Sequence, residues 1–240
     1  MTRQSIAIAV FVKTPGCTPL KTRLAAEIGA QNAEQFHRLA TRCLEETLLE
    51  LQSQGETGEI VPFWSVAEPE GHQDSLWSAF PVVGQGEGGL GERMHHVYAE
   101  LLDRHDAVFL LGADTPQISV ADLAAAVDVL FASKEKKEEE IEFVLGPAND
   151  GGFVFLGGRR EISLDVWQRV PYSVPETTEL LLRELRSLGR VETLGEWVDV
   201  DVWPDLCQIM SVLREASEST AKSELTAWIQ SLISERENRA

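Results

Sequence analysis

The stretch Ser5-Ile-Ala-Ile-Ala-Val-Phe-Val12 decides the fold of this chain. It is a short apolar run rich in β-branched residues, and the segment that follows it contains Pro15, Gly16 and Pro19. This pattern predicts a buried strand followed by a loop. Similar runs predict strands at 59–66, 107–112, 141–145 and 153–157, mostly with helical spacings between them. Strands that alternate with helices predict an α/β fold whose central sheet is mostly parallel and covered by helices on both faces.

Length and composition indicate a globular protein with a large core. The chain has 240 residues, of which 43% are apolar and 25% charged, and it contains neither a repeat nor a convincing linker. We therefore expect one domain over 1–240, with about 211–240 as a C-terminal helical extension. No apolar run reaches the roughly 18 residues that a membrane span needs. The three cysteines form no CxxC pair, which favours a cytoplasmic protein.

The charge distribution points to an anion as ligand. The formal net charge is −18, so a nucleic acid polymer or an anionic membrane would be repelled over most of the surface. Residues 1–26 nevertheless contain no acid and carry the cations Arg3, Lys13, Lys21 and Arg23. This island of positive charge predicts an anion-binding pocket. Chance clustering of four cations is the alternative.

The loop at 13–23 is the predicted phosphate site. In open α/β sheets ligands bind beyond the carboxyl ends of the strands, and this loop joins the first strand to a helix. Backbone amides at a helix N-terminus, together with Lys13, Lys21 and Arg23, suit a diphosphate or a triphosphate. The GxxxxGK[ST] pattern of a Walker A loop is absent.

Carboxylates follow several of the later strands. Asp114 comes directly after the apolar run 107–112 and is placed to bind Mg²⁺ or Mn²⁺, although it could simply cap the helix that begins near Ile118. Asp150 precedes Gly151 and Gly152 in a segment that is either a hairpin turn or a close backbone approach to a ligand. Asp199 and Asp201 alternate on one face of a strand predicted at 196–200, and they could also be a plain polar face.

Five motifs occur together in a fixed order. They are Lys13-x-Pro with Lys21-Thr22-Arg23-Leu24, Gly89-Leu-Gly91-Glu-Arg93-Met, Gly112-Ala-Asp114-Thr-Pro, Gly146-Pro-Ala-Asn-Asp150-Gly151-Gly152-Phe, and Asp199-Val-Asp201-Val-Trp-Pro-Asp205-Leu. Their order and spacing over about 5–206 resemble the DUF2064 family, the radical-SAM/selenodomain-associated transferases of the GT-A, nucleotide-diphospho-sugar transferase superfamily. The first motif is also similar to the Lys-Ser-Arg-Leu element of 2-phospholactate guanylyltransferases.

The resemblance implies a GT-A-like, three-layer α/β/α fold and a set of roles. The nucleotide would contact Lys13, Lys21, Thr22, Arg23, Gly91 and Arg93. Asp114 and Asp201 would hold Mg²⁺ or Mn²⁺, and Asp150 would be the catalytic base. Gly151, Gly152 and Ser173 would contact the other substrate. The chain departs from the family at Thr18, where a glycine is usual, and at Tyr172, which replaces a tryptophan.

Three functions remain open from the sequence. The first is transfer of a sugar from a nucleoside diphosphate-sugar to a small acceptor. The second is nucleotidyl transfer, in which an NTP joins a phosphorylated acceptor and pyrophosphate is released. The third is a nucleotide-binding protein without catalysis. The base, the sugar, the acceptor and the oligomeric state are not determined by the sequence.

Overall fold

The computed structural model describes residues 3–55, 58–131, 140–215 and 219–238. The strands in these ranges are β1 Ser5–Val12, β2 Glu59–Val66, β3 Val82–Gly84, β4 Ala107–Gly112, β5 Ile141–Pro147, β6 Phe153–Gly158 and β7 Arg190–Thr193. The α-helices are α1 Thr22–Ile28, α2 Ala30–Gln54, α3 Leu90–Leu102, α4 Val120–Phe131, α5 Leu164–Arg169, α6 Thr177–Arg186, α7 Trp203–Glu215 and α8 Thr220–Glu237. Short 3₁₀ turns lie at Pro69–Gly71 and Ser75–Trp77. No helix in these ranges is long and apolar enough to cross a membrane.

The strands form one sheet in the order β3-β2-β1-β4-β6-β5-β7. β6 runs antiparallel to both of its neighbours, β4 and β5, and the other neighbouring pairs are parallel. The predicted α/β fold with a mostly parallel sheet is therefore confirmed. Because β4 and β5 point in the same direction as β1, the segments that follow these three strands lie at one edge of the sheet.

β1 is the central element, and it is buried on both faces. Ile6, Ile8 and Val10 share a hydrophobic core with residues of α2 and α4 on one face of the sheet. Ala7 and Ala9 pack into a second core with residues of α3, α5 and α6 on the other face. Burial on both sides is the reason that the strand reads as a continuous apolar run instead of an alternating one.

A third core lies on the outer side of α2 and joins it to the C-terminal helices. Leu24 of α1 and Phe36 of α2 pack there with residues of α7 and of α8, among them Leu206 and Leu225. The buried Lys222 of α8 donates a hydrogen bond from Nζ to Ile118 O at 2.7 Å. Of the extension predicted at 211–240, the described part therefore packs on the body of the protein.

The strand predicted at 196–200 is not formed. The segment pairs with the sheet only through an isolated bridge between Trp197 and Ala148. β5 ends at Pro147, which has no N–H to continue a ladder. Single hydrogen bonds hold the segment instead: Val200 N donates to Asp114 O at 3.1 Å, and Gln117 Nε2 donates to Val198 O at 2.7 Å. These bonds fix the segment to the chain that follows β4.

We expect Leu225→Ala to lower the free energy of unfolding by about 2–5 kcal/mol, because it leaves a cavity in the third core. Leu225 is fully buried, at 0% exposure. Leu49 of α2 is 44% exposed, so Leu49→Ala is the matched control and should change that free energy by about 0.5 kcal/mol at most. Urea unfolding followed by circular dichroism measures both. Equal values would show that α8 is not part of the cooperative core.

Candidate functional site

A pocket of about 830 Å³ opens at the sheet edge where β1 and β4 end. The loop at 13–23, which follows β1 and is called the first loop below, contributes Lys13, Pro19, Leu20, Lys21, Thr22 and Arg23 to the pocket lining. Segments later in the chain contribute, among others, Asp114, Asp150, Gly152, Ser173, Asp199 and Asp201. The pocket thus brings together residues that are distant in sequence. One side is apolar, since Leu90 and Val174, which are 46% and 36% exposed, also line it.

Lys21 stands at the centre of the charged side. Its backbone adopts a left-handed conformation, with φ at 45°, directly before α1 begins. The side chain is only 8% exposed, and Nζ lies 2.8 Å from Oδ2 of Asp114. Nζ also donates a hydrogen bond to Val200 O. Burial would lower the pKa of Lys21, but Asp114, Asp199 and Asp201 outweigh it and raise that pKa, so the ammonium is charged.

Asp199 is the most strongly perturbed carboxyl group at the site. Burial is the main cause, and repulsion from Asp114 adds to it, so the pKa of Asp199 is raised from 3.8 to about 7. Asp150 and Asp201 repel it further, and Lys21 partly offsets them. Asp199 therefore keeps its proton to a higher pH than an ordinary aspartate does. A carboxyl group in this state next to a charged lysine is typical of a functional site.

Arg23 and Asp201 form a more exposed pair beside Lys21. Arg23 Nη1 lies 2.7 Å from Asp201 Oδ2, and the two side chains are 73% and 32% exposed. Asp205 fixes the backbone here, because its Oδ2 accepts hydrogen bonds from the N–H groups of Asp201 and Val202. An ion pair this exposed contributes at most about 1 kcal/mol, so Arg23 is able to leave Asp201 for another anion.

Asp114 does not cap the following helix. α4 begins at Val120, and Ser119 and Asp122 cap it reciprocally: Ser119 N donates to Asp122 Oδ2 at 2.8 Å, and Asp122 N donates to Ser119 Oγ at 3.1 Å. The carboxylate of Asp114 instead contacts Lys21 in the pocket. The structure thus removes the capping alternative for Asp114.

The turn between β5 and β6 forms the opposite wall. Asp150 Oδ1 accepts a hydrogen bond from Gly152 N at 2.8 Å, which is the bond of an Asx turn. Gly151 has φ at 89°, and a Cβ at this position would collide with the backbone of Pro175. Gly151 O in turn accepts from Thr178 N at 2.9 Å. The turn is therefore held against the segment that carries Ser173, which has the left-handed φ of 61°.

Three of the predicted site residues do not line this pocket: Gly91, Arg93 and Gly151. A Cβ at Gly91 would lie 2.7 Å from Cε2 of Tyr172 and 2.8 Å from Trp167 O, so this glycine allows α3 to pack closely. Arg93 Nε donates to Gly88 O at 3.0 Å. The other nine predicted residues lie around the pocket, and their individual roles stay predictions.

Sequence reasoning gave Asp199 no role of its own and missed His37. Asp199 shared a face with Asp201 in the pattern, but nothing in the sequence shows that Asp199 faces Lys21 and Asp114. His37 of α2 also lines the pocket, and its ring Nε2 donates to Lys13 O at 2.9 Å. Burial lowers the pKa of His37, which keeps the ring neutral. No motif distinguishes this histidine from an ordinary core residue.

The charged side offers oxygen ligands for a hard cation. Among the described residues, no group of three or more His, Cys, Asp and Glu side chains is arranged to hold a metal ion. Mg²⁺, however, is commonly bound by one or two carboxylates together with the phosphates of a substrate. Repulsion between Asp114 and Asp199 would be relieved by such a cation. The carboxylates fit a divalent metal that arrives with a phosphate ligand.

The model of one protein family matches residues 47–174, which is more than half of the chain. Its description is "Uncharacterized protein conserved in bacteria (DUF2064)". The chain belongs to this family. The resemblance of the five motifs to the DUF2064 family is thereby confirmed. No curated protein matches it by sequence.

Solved structures confirm the fold. A candidate nucleotide-diphospho-sugar transferase from Desulfovibrio desulfuricans G20 has a TM-score of 0.78 and 24% identity, covering 95% of this chain and 97% of that one. CMP:2-keto-3-deoxy-manno-octonic acid synthetase complexed with CTP has a TM-score of 0.54 and 13% identity, covering 90% and 100%. Rv0371c from Mycobacterium tuberculosis H37Rv has a TM-score of 0.51 and 17% identity, covering 87% and 98%. At these identities the likeness establishes the fold alone.

Asp199 predicts a pH dependence of stability. Its pKa is raised from 3.8 to about 7 in the folded chain, so the folded state binds the extra proton and the stabilisation is lost as pH rises from about 4 to about 7. Asp199→Asn cannot lose a proton. We expect this variant to melt at a higher temperature than the unmodified chain, by a margin that grows from pH 5 to pH 8.

Melting curves from pH 5 to pH 8 measure the effect. Asp165→Asn, on α5 and away from the pocket, is a carboxylate control that should follow the unmodified chain throughout. Parallel melting temperatures for Asp199→Asn and the unmodified chain across this range would contradict the prediction.

Proposed function

We propose that this DUF2064 protein is a transferase that binds a nucleoside diphosphate-sugar with Mg²⁺ or Mn²⁺ and passes the sugar to a small acceptor. The observation that carries the proposal is the arrangement of Lys21 against Asp114 and Asp199 at the carboxyl edge of the sheet, beneath the cationic first loop. A charged lysine among carboxylates offers groups for both a metal ion and a phosphate.

The cations of the first loop would hold the diphosphate. Lys13 and Arg23 line the pocket with exposed side chains, and Lys21 lies deeper between them and the sheet. Arg23 would exchange its weak pair with Asp201 for a phosphate oxygen. Elsewhere the chain is strongly acidic, so few other surfaces attract a polyanion. The loop would therefore both recruit and orient the nucleotide.

We favour Asp114 and Asp199 as the pair of metal ligands. Asp201, which the resemblance placed in this role, pairs with Arg23 and would become available to the metal only when Arg23 moves to a phosphate. Asp199 lies closer to the centre, where repulsion from Asp114 contributes to its raised pKa. When bound, the metal would supply electrostatic stabilisation of the charge that develops on the leaving diphosphate. Lys21 would leave Asp114 and add its own charge to the same phosphates.

Asp150 is the proposed base on the acceptor side. It is exposed on the turn that faces the first loop across the pocket, and Gly152 and Ser173 lie beside it. In the proposed step the bond between the sugar carbon and the diphosphate oxygen breaks, and a bond from the acceptor oxygen to that carbon forms. The acceptor proton passes to Asp150, and the nucleoside diphosphate leaves.

Nucleotidyl transfer is the second candidate. It is favoured by Lys21-Thr22-Arg23-Leu24, which is similar to an element of guanylyltransferases, and by the fold shared with a synthetase that was solved with CTP. In this reaction the acceptor phosphate attacks the α-phosphorus of an NTP, and pyrophosphate leaves. Both reactions use the same loop and the same carboxylates, so the products distinguish them.

A thermal-shift panel tests the proposal directly. UDP-, GDP-, CDP- and TDP-sugars and the free NTPs would be compared with and without Mn²⁺. We expect one nucleotide-sugar to raise the melting temperature only when the metal is present. Release of a nucleoside diphosphate then supports sugar transfer, and release of pyrophosphate from an NTP supports nucleotidyl transfer. If no nucleotide raises the melting temperature, the proposal is wrong. Binding without turnover would indicate a nucleotide-binding protein.

Asp114→Asn should reduce metal-dependent nucleotide binding by at least about tenfold, because it removes a charged ligand in a partly buried site. Asp128→Asn is the matched control: Asp128 is an exposed residue of α4 outside the pocket, and its substitution should leave binding unchanged. Isothermal titration with the nucleotide from the panel, with and without Mn²⁺, measures both. Equal metal dependence in the two variants would contradict the assignment of Asp114.

A further inference from the structure

We propose that Glu68 is a positioning residue that holds the first loop in its phosphate-binding shape through Thr14 and Thr18. The proposal rests on the function proposed above, and it concerns Glu68, which no motif includes. Glu68 follows β2, and its side chain is buried, with 7% of the residue exposed. None of Glu68, Thr14 and Thr18 lines the pocket, so Glu68 acts through the loop.

Both carboxylate oxygens of Glu68 are used by the loop. Oε2 accepts a hydrogen bond from Thr14 N at 2.8 Å, and Oε1 accepts one from the hydroxyl of Thr18 at 2.5 Å. The two donors lie on either side of the turn at Pro15 and Gly16. Glu68 therefore bridges the two ends of this turn from the side away from the pocket. Lys13 lies immediately before the segment that it holds, and Lys21 lies shortly after.

Other side chains fix the start of the same loop. Trp77 Nε1 donates to the hydroxyl of Thr14 at 3.1 Å. A Cβ at Gly71 would occupy the space of the Thr14 side chain, so the 3₁₀ turn packs directly on the loop. His37 holds Lys13 O. Glu68 is the anchor that reaches the far side of the turn, since it binds Thr18.

The cost of burying Glu68 supports a specific role. A carboxylate removed from water is unfavourable unless hydrogen bonds compensate it, and among the described residues no lysine or arginine forms an ion pair with Glu68. Its compensation comes from the loop itself. Hydrogen bonds to an ionised acceptor are short and strong, and they order the loop before a ligand arrives. The loop then loses less conformational entropy when the ligand binds.

The same contacts give Thr18 a role in the loop. The Thr18 hydroxyl is the group that donates a hydrogen bond to Glu68. The side chain is otherwise exposed. Beside Thr14, Thr18 is thus a second point at which Glu68 holds the loop.

Thr18→Val and Thr18→Ser test the inference at an exposed position where the fold is not at risk. Valine keeps the shape of the side chain without its hydroxyl, and serine keeps the hydroxyl. The probe is pyrophosphate with Mg²⁺, which carries the diphosphate common to both proposed reactions, measured by isothermal titration. We expect Thr18→Val to weaken binding by about five- to tenfold, from the loss of one hydrogen bond to a charged group, and Thr18→Ser to bind normally.

Glu68 itself provides a second comparison. In Glu68→Gln the amide oxygen can accept from Thr14 N, and the amide nitrogen can donate to the Thr18 hydroxyl, so binding should be largely retained. Glu68→Leu removes both bonds and should weaken binding more than Thr18→Val does. Hydrogen exchange of the amides in 13–21 should be faster in Glu68→Leu and Thr18→Val than in the other two variants.

The outcomes separate the two proposals. If the unmodified chain binds pyrophosphate or a nucleotide and Thr18→Val and Glu68→Leu bind equally well, the positioning role is wrong and the proposed function stands. If Thr18→Ser and Glu68→Gln lose as much binding and as much melting temperature as the disruptive variants, Glu68 has only a structural role. If the unmodified chain binds neither pyrophosphate nor any nucleotide of the panel, both proposals fall together.

Discussion

The interaction on which this site depends is the contact between the Lys21 ammonium and the Asp114 carboxylate. The side chain of Lys21 is almost completely buried, so its ammonium group loses much of its hydration. The charge of the neighbouring carboxylates compensates this loss. Asp114 is supplied by the end of β4. Asp199 is supplied by the segment that the Asp114 carbonyl and the Gln117 side chain hold by hydrogen bonds to its backbone. A single cation thereby ties the first loop, the central sheet and a late segment of the chain together.

The carboxylates keep the lysine charged, and the lysine only partly relieves the repulsion between them. Burial is the main cause of the raised pKa of Asp199, and this incomplete balance raises it further. The same imbalance explains why the site suits a ligand that brings both positive and negative charge, such as a metal–diphosphate complex. A protein of net charge −18 otherwise has little to offer an anion, and its cations at 13–23 are concentrated where the sheet opens.

The first loop is held from two directions. On the pocket side Lys21 binds Asp114, and behind the loop Glu68, Trp77 and His37 hold its backbone and its threonines. Two residues of the site, Lys21 and Ser173, adopt left-handed backbone conformations that side-chain-bearing residues seldom adopt. Such conformations persist only where the surroundings determine them, and they are frequent at functional sites. The surrounding contacts therefore determine the backbone conformation on the charged side of the pocket.

Much of this protein could be predicted from local sequence. The apolar run of β1, the alternation of strands with helices, the loop at 13–23 and the carboxylates after the strands are all local patterns, and each is preserved in the fold. The tertiary structure decided what those residues contact. Lys21 meets Asp114, and Arg23 meets Asp201, because β1 and β4 are neighbours and the 197–200 segment is pinned beside them. Gly91 and Arg93 had the appearance of ligand residues in the motif, but their surroundings are Tyr172 and Gly88. Glu68 belongs to none of the motifs. Periodicity and turn chemistry act over a few residues, whereas the pairing of a buried charge depends on distances between segments that only the folded chain brings together.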